Sequence, residues 1–168
     1  MAHISKVVLL IAGLGLAACS NTSADSYANG SYGNGAGGGI GDVSNPRSVA
    51  YFNTTIGDRV LFAVDQSTLS ETAKATLTQQ ARWLMENPEY TAIIEGHADE
   101  QGTREYNLAL GERRANASQQ FLVSQGVASN RLQVLSYGKE RPIEICSEES
   151  CYAQNRRSVT VVAAGVGV

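Results

Sequence analysis

Hydrophobic residues in the middle of the chain follow two spacings, one typical of strands and the other of helices. Arg59–Phe62, followed by Val64, is a short apolar run that predicts a strand. Thr68–Glu71 has the spacing of a capping box, which opens helices. The apolar residues after it recur at helical spacing, as Ala73, Leu77, Ala81 and Leu84. This pattern predicts an amphipathic helix that ends at Asn87-Pro88, because the residue before a proline avoids the helical conformation.

The same alternation of strand and helix patterns continues in the second half of the chain. Thr91–Glu95 predicts a second strand, Gly96–Gly102 a loop, and Thr103–Gln125 a long helix ended by Gly126. Two more apolar runs predict strands, Leu132–Tyr137 and Ser158–Ala163. The order β-α-β-α-β-β predicts an α/β (α+β) two-layer sandwich with a small mixed sheet. Both helices should cover one face of this sheet, because consecutive β-α-β units cross over right-handed.

The first residues carry an apolar run of a different kind. Val7–Leu16 follows a short segment with Lys6, and its ten residues are too few to cross a bilayer, which needs about 20. Residues 1–18 are therefore predicted to be a secretory signal peptide. Leu16-Ala17-Ala18-Cys19 resembles the bacterial lipobox, which implies that Cys19 is acylated and becomes the membrane anchor. The alternative is an ordinary secretory signal with an incidental cysteine. Ser20 is not aspartate, which implies sorting to the outer membrane by the enterobacterial rule.

Residues 19–48 are rich in Asn, Ser and Gly and lack periodic apolar positions. This composition predicts a disordered tether, which spans on the order of 30 Å by the square-root rule for Gly-rich chains. The tether is either a spacer that holds the next domain off the membrane or a linker of no particular length. A single globular domain is predicted over residues 49–168.

The net charge of the chain bears on which kinds of partner it is expected to bind. The chain carries 13 Lys and Arg against 16 Asp and Glu, for a formal net charge of −3. Nucleic-acid-binding domains usually present a basic patch or stripe, so nucleic acid is not an expected partner.

Polar residues gather in the loop Gly96–Gly102 and at the start of the following helix. Asp99 lies in the loop, and Arg114 lies along the edge of a helical stripe through Tyr106, Ala109, Leu110, Arg113, Ala117 and Phe121. An anionic Asp99 near a cationic Arg114 could hold a zwitterion, with the guanidinium fork facing a carboxylate. A structural ion pair or two solvated charges would give the same spacing. Gly111, a costly residue inside a helix, suggests that something, such as a ligand, approaches the backbone closely.

These residues resemble the OmpA-like peptidoglycan-binding domain family. The resemblance covers about residues 60–162. It rests on the motifs Gly96–Thr103, Glu105–Asn107, Leu110–Asn116, Ser136–Lys139 and Asn155–Arg157.

The resemblance implies that the domain binds, without covalent linkage, the diaminopimelate of uncrosslinked stem peptides in peptidoglycan. Asp99 and Arg114 would hold the free amino-acid end of the diaminopimelate. Asp65, Asn107 and Leu110 match further pocket positions. Gln101 stands where lipid-anchored members often carry arginine, so one cationic contact is missing and a lower affinity is expected.

For a lipid-anchored member, the resemblance also implies a link between the outer membrane and the cell wall, and a role in envelope constriction at division. The implied protein partners are TolB and, as a further candidate, TolA. A module that docks only to proteins, with a vestigial pocket, is the alternative. Arg156 and Arg157 match a recurrent family motif, and we expect them to brace the fold rather than to touch the ligand.

The remaining chemistry-bearing residues do not predict catalysis. Cys146 and Cys151 enclose a short loop, and in an oxidising periplasm they are expected to form a disulfide. His97 is the only histidine after Cys19, so no metal site is expected. A peptidoglycan hydrolase could use His97 with Asp99 or Glu100, but it would also need an activated nucleophile or a metal-bound water. We therefore expect a binding protein and no cofactor.

Overall fold

The computed structural model describes residues 41–164, which form a four-stranded sheet and four α-helices. The strands are β1 (Arg59–Leu61), β2 (Tyr90–His97), β3 (Leu132–Gly138) and β4 (Arg157–Ala164). The helices are α1 (Val49–Tyr51), α2 (Glu71–Glu86), α3 (Arg104–Ser124) and α4 (Glu149–Asn155). A π-helical segment, Phe52–Gly57, continues α1, and a short 3₁₀ turn, Ser129–Arg131, precedes β3.

The sheet has the order β1-β4-β2-β3 and is mixed. Strand β4 pairs antiparallel with both β1 and β2, whereas β2 pairs parallel with β3 through the crossover helix α3. The predicted α/β sandwich is therefore confirmed. The core between sheet and helices is apolar and includes Leu77, Leu84, Ile94, Leu122 and Phe52.

The two long helices begin and end at the signals that their sequences carry. The hydroxyl of Ser70 accepts a hydrogen bond from Ala73 N at 3.1 Å, so Ser70 is the N-cap of α2 and the capping box predicted from Thr68 is wrong in register. Thr103 caps α3 by accepting from Tyr106 N at 3.2 Å. Gly126 follows the end of α3 with φ of 106°, a left-handed conformation that glycine adopts without steric cost.

The predicted stripe on α3 is not the face that the structure buries. Tyr106, Ala109 and Arg113 are exposed. Leu110 is buried, but the other buried residues of α3 lie at the edge of the predicted stripe or outside it. The buried face consists of Asn107, Leu110, Gly111, Arg114, Ala115, Ser118 and Leu122. The prediction failed because this face mixes polar and apolar residues, so hydrophobic periodicity does not reveal it.

Packed structure begins before residue 49, the predicted start of the domain. Ser48 is buried, Trp83 Nε1 donates to Pro46 O at 2.7 Å, and Tyr90 Oη donates to Arg47 O at 3.2 Å. The segment 42–48 therefore contacts the domain through Pro46 and Arg47. Residues 1–40, which include the predicted signal peptide, Cys19 and most of the predicted tether, lie outside the described residues.

Two helical segments that the sequence patterns did not predict are held by specific partners. The α1 and π-helical segment buries Phe52, whose ring lies 4.9 Å from that of Trp83. Helix α4 contains Cys151, which forms a disulfide with Cys146, and the two Cα atoms are 5.9 Å apart. Within the described residues, no helix is both long and apolar enough to span a membrane.

Candidate functional site

Five of the six predicted ligand residues line one pocket of about 270 Å³ at the end of β2, which we call the Asp99 pocket. Its volume is near the lower limit of small-molecule sites, so it suits a group the size of one amino acid. The pocket is lined by Val64, Asp65, Asp99, Gln101, Gly102, Tyr106, Asn107 and Leu110. Arg114, the sixth predicted residue, does not line it.

Asp99 lies just beyond the end of β2 and has its carboxylate fixed from two sides. Oδ1 accepts from Gln101 N at 3.2 Å, and Oδ2 accepts from Arg156 Nη1 at 3.1 Å. The residue is only 7% exposed, so little solvent screens its charge. The loop that carries it is held from outside by Lys139, whose Nζ donates to the carbonyls of Gly102 at 2.7 Å and Glu100 at 3.3 Å.

Asp65 brings a second carboxylate to the pocket. Its φ of 56° is in the left-handed region, which aspartate tolerates better than most residues. The hydroxyl of Tyr106 donates to Asp65 Oδ1, and this bond raises the pKa of Tyr106. Neither Tyr106 nor the backbone conformation of Asp65 was predicted as part of the site.

Asn107 contributes an acceptor that has no partner. Its Nδ2 donates to Gln101 O at 2.8 Å, which orients the amide. Its Oδ1 is buried and makes no hydrogen bond within the described residues. A buried acceptor left without a donor is costly to the folded state.

Arg114 lies behind the pocket rather than in its wall. The side chain is fully buried and donates to three backbone carbonyls, Gln66 O at 2.8 Å, His97 O at 2.9 Å and Ala63 O at 3.1 Å. Burial lowers its pKa to about 10, although the nearby Asp99 opposes the change, so Arg114 stays charged at neutral pH. Its guanidinium thus ties the turn that carries Asp65 to the end of β2. The structure does not place it in the open fork geometry expected from the sequence.

Arg156 and Arg157 connect separate segments of the fold through hydrogen bonds. Arg156 donates to Asp99, to both carboxylate oxygens of Glu149 and to Phe62 O at 3.3 Å. Arg157 donates to the carbonyls of Asn155 at 3.3 Å and Arg141 at 3.1 Å. Neither side chain lines the Asp99 pocket.

Gly111 faces another part of the protein rather than a ligand. A Cβ on Gly111 would lie 2.8 Å from Gly96 O and 2.5 Å from the hydroxyl of Ser136, and a Cβ on Gly96 would lie 1.8 Å from Gly111 O. The two glycines let the backbones of α3 and β2 touch. The suggestion that a ligand approaches Gly111 is therefore wrong.

His97 is 2% exposed and stacks on Tyr137, with ring centroids 5.5 Å apart. It does not line the pocket, so its imidazole is not placed to act on a guest beside Asp99. Burial, followed by the charges of Arg157, Arg141 and Arg59, lowers its pKa to about 3. Among the described residues there is no group of three or more His, Cys, Asp or Glu side chains suited to a metal ion.

Comparison with known proteins places this chain in a family. The model of the OmpA family matches residues 61–156. A peptidoglycan-associated lipoprotein from Mesorhizobium japonicum is 47% identical over 157 residues, which cover 94% of this chain and 90% of the relative. The chain belongs to the OmpA family.

Two solved structures share the fold. The crystal structure of the peptidoglycan-associated lipoprotein from Burkholderia pseudomallei matches with a TM-score of 0.64 and 35% identity, over 72% of this chain and 98% of that one. The C-terminal domain of Helicobacter pylori MotB matches with a TM-score of 0.60 but only 18% identity, over 65% and 86% of the two chains. The second match indicates a common architecture and nothing about the ligand.

Proposed function

We propose that this protein binds peptidoglycan non-covalently through the Asp99 pocket, and that the ligand is the free amino-acid end of diaminopimelate in uncrosslinked stem peptides. The observation that carries the proposal is the set of acceptors in a pocket the size of one amino acid. Two residues with carboxylates, Asp65 and Asp99, line this pocket together with Asn107, whose Oδ1 has no hydrogen-bond partner within the described residues. Such a set suits an ammonium group, which has three N–H donors and a positive charge.

The carboxylate of the same amino-acid end needs a positive charge nearby. In this proposal Arg114 supplies it from behind the pocket. Three of its five N–H groups are engaged by carbonyls, yet its charge interacts with both Asp99 and Asp65. Leu110 gives the apolar wall against which the methylene groups of diaminopimelate would pack.

The names of the relatives support a role in the cell envelope. In this proposal Cys19 carries the lipid anchor in the outer membrane, the domain lies in the periplasm, and binding ties the membrane to the wall. We further propose TolB, and TolA with it, as protein partners within the Tol-Pal system, with a role in outer-membrane constriction at division. The proposed activity is binding without catalysis, which is consistent with the position of His97 away from the pocket.

Cosedimentation with purified peptidoglycan sacculi tests the binding proposal. Asp99→Asn keeps the size of the side chain but removes its charge, and binding should weaken about tenfold or more, the usual cost of losing a charged hydrogen bond. Glu100→Gln is the matched control, because Glu100 is the adjacent acid but is exposed and does not line the pocket. Unchanged binding by the Asp99 variant would refute the proposed site. Release of soluble muropeptides by the wild-type protein would show a hydrolase instead.

Fractionation of cells that express Cys19→Ala tests the anchor separately. The variant should appear in the soluble periplasmic fraction, because no acyl chain then holds the chain to the bilayer. Continued recovery with the membranes would contradict lipid anchoring at Cys19.

A further inference from the structure

A chain of ion pairs leads from the Asp99 pocket to a disulfide that lies outside it. Asp99 Oδ2 is 3.1 Å from Arg156 Nη1, and the other nitrogen of the same guanidinium, Nη2, pairs with Glu149 Oε1. The side chains of Arg156 and Asp99 are 5% and 10% exposed, whereas that of Glu149 is 66% exposed. Glu149 is therefore the outer, accessible end of a series that ends on a pocket carboxylate.

Glu149 and Asp99 share one guanidinium, because Arg156 donates hydrogen bonds to both carboxylates. Burial alone would lower the pKa of Arg156, but the carboxylates of Glu149 and Asp99 outweigh it and raise the pKa. Neutralising Glu149 would remove one of the two carboxylates that contact Arg156, so more of the positive charge of the guanidinium would act on Asp99 and on a cationic guest beside it.

The disulfide fixes the position of Glu149. The ring closed by Cys146 and Cys151 contains Glu149, and Cys151 lies in the first turn of α4. This helix has seven residues, and its N-cap, Glu148, makes no side-chain capping bond. Helices this short are not stable alone, so the first turn depends on the disulfide. The other end is held by Asn155, whose amide bonds to the backbone of Ile143 and Glu144.

We infer that Glu149 is a positioning residue for the Asp99 pocket, held in place by the Cys146–Cys151 disulfide and acting through Arg156. This inference rests on the proposed function for its effect on affinity. Its effect on the orientation of Asp99 does not depend on any ligand. The backbone amide of Gln101 reports that orientation, because it donates to Asp99 Oδ1.

The test uses the full chain purified in detergent, with a muropeptide that ends in free diaminopimelate as the probe. Glu149→Gln should weaken binding about two- to fivefold, as expected for one partly exposed ion pair, and should shift the Gln101 amide resonance in the free protein. Replacing Cys146 and Cys151 together by serine should have the same two effects. The disulfide change should add nothing in the Glu149→Gln background, because both act through one contact.

Glu148→Gln is the matched control. Glu148 is exposed, precedes Glu149 directly, and makes no side-chain hydrogen bond or ion pair within the described residues. It should leave both affinity and the Gln101 resonance unchanged. An unchanged Gln101 resonance in Glu149→Gln would overturn the inference, as would a full additional loss on removal of the disulfide in that background. If the wild-type protein does not bind the muropeptide, the proposed function fails, while the Gln101 resonance still decides whether Glu149 positions Asp99.

Discussion

Protonation of His97 should destabilise the folded protein in mild acid. The imidazole is 2% exposed, and neither ring nitrogen has a hydrogen-bond partner within the described residues. Glu95 Oε2 lies 3.6 Å from Nε2, but burial and three arginines outweigh its attraction and lower the pKa from 6.5 to about 3. Between these two pH values His97 is protonated in the unfolded chain but neutral in the folded protein. The free energy of unfolding is therefore unaffected by His97 above about pH 6.5, and it decreases as the pH falls from 6.5 toward 3.

The magnitude follows from proton linkage. One pKa unit corresponds to about 1.4 kcal/mol, so acidification from about pH 7 to about pH 5 should cost about 2 kcal/mol of unfolding free energy. Urea denaturation at the two pH values measures this loss. His97→Gln is the control, because a neutral amide cannot take up the proton, and its stability should change little over the same range. The result that would refute the reasoning is equal pH dependence in both proteins, or an imidazole NMR signal of His97 that titrates near pH 6.

Two further predictions concern backbone contacts. Gly96→Ala and Gly111→Ala should both lower the melting temperature, and Gly96→Ala more, because its Cβ would lie 1.8 Å from a backbone carbonyl that cannot rotate away. Wild-type melting temperatures for both variants would show that α3 and β2 are not in contact here. Arg114→Ala should cost about 3 kcal/mol in chemical denaturation, since three backbone carbonyls lose their buried donor, and Arg114→Lys should recover only part of this because one ammonium cannot serve all three. If Arg114→Ala were as stable as the wild type, the bracing role described above would be wrong.

The elements that the sequence predicted well are those with a clear repeat of apolar residues. Helix α2 and the strands are of this kind, although Gln80 in α2 and Thr160 in β4 are also buried. The loop that carries Asp99 and Gln101 has no such repeat and was predicted from its motif. The bounds of helix α3 were predicted correctly, but its buried face was not, because Asn107, Arg114 and Ser118 lie on that face. Helix α4 has no apolar stripe and depends on a disulfide and on the amide of Asn155, neither of which gives a helical pattern.

The position of Arg114 depends on partners that are remote in the sequence. Its acceptors at Ala63 and Gln66 precede it by 51 and 48 residues, and backbone carbonyls carry no residue signature. Spacing and family resemblance therefore predicted that Arg114 lies near Asp99, but they did not predict its hydrogen bonds to these carbonyls. The left-handed conformation of Asp65 could not be predicted from the sequence either, since aspartate adopts other conformations more often.

The docking of residues 42–48 against the domain determines how a pulling force would pass through it. Tyr90, at the start of β2, bonds to Arg47 O, and Asp99 lies two residues beyond the end of β2. If the Asp99 pocket holds the wall and the chain before Asp42 leads to the membrane, tension runs along β2, a central strand hydrogen-bonded to β3 and β4 on its two sides. The load then shears many hydrogen bonds at once instead of opening them one after another. Such a geometry resists mechanical unfolding, which the proposed link between membrane and wall would need.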